Sequence, residues 1–180
     1  MMRRTSLALW TALALSAAVL SHPARALAQA ASTPAPMQGL DASRFLSLAH
    51  SSNAMQTRAS ELVASRDTRP EARSLANTML EFRRALGPRL EGVARERSLT
   101  LPTALELEHQ TLFENLEPLD ALELSRRYAE VELQALEQEL LIYRAAPTAE
   151  EKIQVLANET APKLQELLEE VKRARQSLGP

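Results

Sequence analysis

Met79–Pro102 reads MLEFRRALGPRLEGVARERSLTLP. Met79, Phe82, Leu86, Leu90 and Val93 recur at steps of three, four and seven residues, the spacing of one helix face. The stretch is thus the end of a core-facing helix followed by a loop. It falls where a four-helix bundle that binds metal would carry ligands, yet it holds no His and no Cys. It reads as a packing helix. Arg83 and Arg84 read as part of a solvated helix face, like the later charged runs Arg95–Arg97 and Glu166–Arg175. Gly87-Pro88 predicts a kink or local break, because Pro88 clashes with the carbonyl four residues back.

Working outward, the same period continues. Asp41 is an N-cap candidate, and Phe45, Leu46, Ala49, Leu62 and Val63 mark a first helix over about 42–66. Thr68-Arg-Pro-Glu71 has the form of a capping box opening the second, over about 69–97. Thr103-Ala-Leu-Glu106 opens a short helix that ends before Pro118. Asp120-Ala-Leu-Glu123 opens a long one to about Ala145, and Thr148-Ala-Glu-Glu151 the last, to about Ser177. Ala, Leu, Glu and Arg favour helix nearly throughout, and no strand-like alternation appears. The expectation is an all-α, ferritin-like four-helix bundle with a short extra helix in the crossover connection. Tight turns make antiparallel hairpins of the first two and last two long helices. Plain up-down order with a bulky loop is the alternative.

The N-terminus has the form of a targeting signal. Arg3 and Arg4 precede the apolar run Leu7–Leu20, and Ala26-Leu27-Ala28 fits a cleavage site. The run is short of the roughly 20 residues that span a bilayer. The expected organisation is a signal peptide over 1–28, cleaved after Ala28, a flexible Pro-containing leader over 29–40, and the bundle over 41–178. The expected location is the periplasm. With no Cys, neither a lipidated N-terminus nor a disulfide forms. Cleavage removes three of the 21 basic residues and none of the 23 acidic ones, so the mature chain is more acidic than the full chain's net −2. That argues against nucleic acid as partner, and does not favour a membrane surface.

Few chemistries remain. No Gly-x-Ser-x-Gly elbow, phosphate-cradling Gly loop or Cys nucleophile occurs. Di-metal bundles use Glu-x-x-His pairs, and the chain has a single one, Glu106–His109. These two are the metal candidates, but Glu106 is already explained as a capping-box acid and His109, between Leu105 and Leu112, as a histidine of a helix interface. His50 reads as a rim residue. No cofactor and no catalytic residue is expected. The face Leu164–Leu167–Leu168–Val171 of the last helix reads as core.

FLSLA at 45–49, ARSLANTM at 72–79, LTLP ending at Pro102, RRYAEVELQALE at 126–137 and LANETAPKLQELL at 156–168 follow one another in an order that resembles a known family. It is the uncharacterised, ferritin-like family of secreted bacterial helical bundles catalogued as domain of unknown function 4142. The resemblance covers Phe45–Leu178 and implies a ferritin-like bundle with Pro162 kinking the last helix, and no known activity. Relatives carry Asp-His where this chain has Phe82-Arg83, histidines where it has Leu136 and Leu167, and an acid where it has Gln56. By that comparison the polar cluster of the relatives is missing here. The expected role is a non-catalytic periplasmic module for envelope stress or for binding an unknown protein partner. The alternatives are a ferritin-like metal binder, an oxidase or a metal store, and an amphipathic lipid-binding bundle.

Overall fold

The structure is a computed structural model that describes residues 39–66 and 68–179. The expected signal peptide and nearly all of the expected leader lie outside the described residues. Those described form five helices and no strand: α1 (Ala42–Ser65), α2 (Pro70–Glu96), α3 (Leu107–Glu114), α4 (Ala121–Arg144) and α5 (Glu151–Leu178).

Two of the four expected capping acceptors that open long helices cap as anticipated. Asp41 accepts from the Arg44 N–H at 2.8 Å, and Asp120 from the N–H groups of Leu122 and Glu123 at 3.1 Å each. The threonines do not. Thr68 Oγ1 donates to the Val63 carbonyl at 2.9 Å, so it finishes α1 instead of starting α2, whose N-cap is Arg69. The short helix starts later than Thr103 predicts, with Glu106 at its N-cap and no side-chain cap; α5 likewise begins after Glu150, not at Thr148. Of the kink or local break expected at Gly87-Pro88, the break does not occur, for α2 is continuous through Pro88. Leu86 and Leu90 on either side are buried at 2% and 0% exposure, and their packing offsets the lost backbone bond. Gly87 serves closeness: a Cβ there would lie 3.2 Å from the Asn53 side chain of α1.

The core draws on all four long helices. α1 packs on α2 and α4, α5 packs on α4 and α2, α2 and α4 touch over a short length, and α3 lies against α1. The directions follow from named pairs. Asn53 meets Gly87 and Gln56 meets Arg83, so α1 and α2 are antiparallel. Leu40 N–H donates to the Ala145 carbonyl and Ser60 meets Tyr128, so α1 and α4 are antiparallel. Arg97 pairs with Glu150 and Arg89 with Glu159, so α2 and α5 are antiparallel. Arg69 meets Ser125 and Arg83 meets Glu139, so α2 and α4 run the same way. The chain between them, with α3, must therefore travel back along the helices. No described helix is long and apolar enough to cross a membrane.

Candidate functional site: a buried polar array and a surface cleft

Helix period places several polar side chains in the interior. On α1, Ser52, Gln56 and Ser60 follow at i, i+4 and i+8, buried at 1%, 0% and 0% exposure. On α4, Tyr128, Glu132, Glu139 and Tyr143 share one stripe and are also buried. From α2 comes Arg83, at 0% exposure the bulkiest fully buried side chain. This corrects the reading of Arg83 as solvated. Its place four residues after Met79 and three before Leu86 puts it on the apolar stripe itself. Phe82, expected in that stripe, is only half-buried, and its ring lies 5.0 Å beneath the Arg83 guanidinium.

The guanidinium is held on two sides. Nη1 donates to Glu139 Oε1 and Nη2 to Glu139 Oε2, each at 2.8 Å. Nη2 also donates to Gln56 Oε1 at 2.5 Å. Gln56 Nε2 closes the array by donating to Glu139 Oε2 at 3.0 Å and Ser52 Oγ at 2.8 Å. Three helices thus meet at one charge-assisted knot. Burial alone would lower the Arg83 pKa, but the charge and hydrogen bond of Glu139, with Glu132 adding to them, outweigh it and raise it. Ser60 and Tyr128 share a hydrogen bond of 2.8 Å, and burial pushes the Tyr128 hydroxyl well above its ordinary value.

Glu132 differs from its neighbours. Its side chain is fully buried and neither carboxylate oxygen has a hydrogen-bond partner. Burial raises its pKa to about 8, against the opposing charge of Arg83 and with some help from Glu139. Near neutral pH it is mostly protonated, so the array holds one positive and one negative charge. Tyr143 Oη and Thr160 Oγ1 are likewise buried without a partner. So the polar cluster that the comparison with relatives marked as missing has a different membership. Arg83 and Gln56 stand in it, and Leu136 and Leu167 are indeed core residues at 0% and 7% exposure.

The two metal candidates lie elsewhere, on a cleft of about 420 Å³ between α1, α3 and α4. Glu106 is not a capping-box acid: its carboxylate pairs with Arg44 at 2.6 Å, and its N–H donates to Ser51 Oγ at 2.8 Å. His109 Nδ1 lies 2.7 Å from the same Ser51 Oγ. Burial lowers the His109 pKa more than Glu108, Glu139 and Glu106 raise it. Burial thus favours the neutral ring, whose Nδ1 shares a hydrogen bond with the Ser51 hydroxyl. Both residues dock α3 on α1. Leu107 and Leu141, 82% and 49% exposed, also line the cleft. His50, expected at the rim, is half-buried, and its Nδ1 has no partner. Among the described residues no three of His, Asp and Glu converge as metal ligands would.

No curated protein and no solved structure matches the chain. A family model does, over residues 25–174. The chain belongs to the family described as domain of unknown function (DUF4142).

Proposed function

We propose that this protein is an exported, ferritin-like four-helix bundle of the periplasm that acts by binding another envelope protein and not by catalysis. One observation carries the reading. The interior position where such a bundle would gather metal ligands is filled by a side-chain cation, Arg83, paired with Glu139 and Gln56. The helix directions support the ferritin-like part, since same-way α2 and α4 require a long return connection. In this reading residues 1–28 are the signal, 29–40 the leader and 41–178 the bundle. The exposed Leu107 and Leu141 support a contact surface beside α3.

The test pairs two measurements on protein purified from periplasm. Mass spectrometry should find no stoichiometric metal. A photo-crosslinker at Leu107 should trap one reproducible periplasmic protein, while one at exposed Glu91 on α2 should not. A monomer that traps nothing at either site would sink the proposal. A second reading, a metal-binding protein, is favoured by Glu106 and His109 lining one cleft. It requires about one or two iron or manganese ions per chain, released in His109→Ala.

A further inference from the structure

Glu132 has no part in either reading, yet it is the least satisfied group in the interior. It sits one turn beyond Tyr128 and two turns before Glu139 on α4. Both of its oxygens lack partners, and so does the Nε–H of the Arg83 guanidinium. The core therefore holds one cation with a free donor, engaged by one acid, and a second acid with free acceptors on the same helix. The charged or titratable groups that act on Glu132 are Arg83 from α2 and Glu139 from its own helix. Tyr128 is the titratable neighbour on which Glu132 acts in turn. α1 brings the neutral Ser52, Gln56 and Ser60 to the array, and α5 the neutral Thr160. From α3, His109 feels the charge of Glu139.

We propose that Arg83, Glu132 and Glu139 form a proton-operated latch that couples α1 to α2. With Glu132 protonated, Arg83 rests on Glu139 and Gln56, and α1 is tied in through Gln56. When the proton passes to solvent, a second negative charge appears where Coulomb terms are strong and water is scarce. Arg83 then turns its free Nε–H toward Glu132 and releases Gln56. α1 then keeps its bonds to α4, Gln56–Glu139 and Ser60–Tyr128, and loses the array's bond to α2. Burial of Glu132 puts this exchange just above neutral pH.

The test is amide hydrogen exchange of α1 between pH 6 and pH 9.5, corrected for intrinsic rates, in the wild-type protein and in Glu132→Gln. Protection around Gln56 in the wild type should fall about tenfold or more above pH 8, while Glu132→Gln keeps its protection throughout. Equal pH profiles in the two proteins, or a wild type whose α1 does not respond, overturn the latch. Carboxyl carbon NMR of the wild type decides the case should the variant fail to fold. A Glu132 carboxyl titrating near 8 with a coupled shift at Gln56 supports the proposal, and one titrating in the ordinary range, or without that coupling, overturns it.

Discussion

At the scale of single residues, Glu132 gives the protein an unusual relation between pH and stability. Its pKa is about 8 in the fold against 4.5 as the reference. Between those values the folded chain binds more protons than the unfolded one, so this group's contribution is full below about 4.5 and is lost as pH rises toward 8. The common carboxylate, with a lowered pKa, does the reverse. Glu132→Gln should therefore raise unfolding free energy at pH 7 by about 1–3 kcal/mol and flatten this descending limb, as read from urea titrations at several pH values. Arg83 should behave oppositely. Arg83→Met leaves Glu139 and Gln56 buried with broken partners and should cost about 3–5 kcal/mol, whereas Arg83→Met combined with Glu139→Met should recover much of that loss. Arg83 was judged in the sequence by its charge, and Glu132 was not singled out. Arg83 follows Met79 by one turn, and Glu132 lies between Tyr128 and Leu136 on a buried stripe. Helical phase alone marked both as interior. What phase could not give was the partner, which for Arg83 comes from 56 residues away.

At the scale of the element, helix existence and approximate extent were legible, and the agent of each boundary was less so. Asp41 and Asp120 cap as their positions suggest, since an ionised carboxylate is a strong acceptor for orphan N–H groups. Thr68 has a competing option in the Val63 carbonyl and takes it, as a hydroxyl can donate where a carboxylate cannot. Glu106 has competing options in Arg44 and Ser51. A capping-box pattern counts residue types, and tertiary partners decide which atoms bond. The consequence can be measured. Asp120→Ala should cost about 1 kcal/mol in chemical denaturation, and Thr148→Ala less than about 0.5 kcal/mol, although the two patterns look alike in sequence.

At the scale of the whole molecule, the pattern of helices left two chain paths open, and the difference between them is one of direction. Four amphipathic helices with tight first and last turns satisfy the same hydrophobic period in up-down order or with a long return. Only long-range pairs separate the two, and the sequence does not display them. Here Arg69 N–H donates to Ser125 Oγ at 3.0 Å, joining the start of α2 to the start of α4. Up-down order would instead bring Arg69 near the end of α4, around Arg144. The chain has no cysteine, so a pair can be introduced without background. Arg69→Cys with Ser125→Cys should oxidise more readily than a pair at opposite helix ends, because the 3.0 Å contact between the Arg69 amide and Ser125 Oγ makes the two residues neighbours. Arg69→Cys with Arg144→Cys should stay reduced under the same conditions. Quantitative thiol counting after mild oxidation reads both. A disulfide in the second pair and none in the first would mean that α2 and α4 are antiparallel neighbours. The meeting of Arg83 with Glu139 depends on the same register, so that result would dissolve the buried array together with the return path.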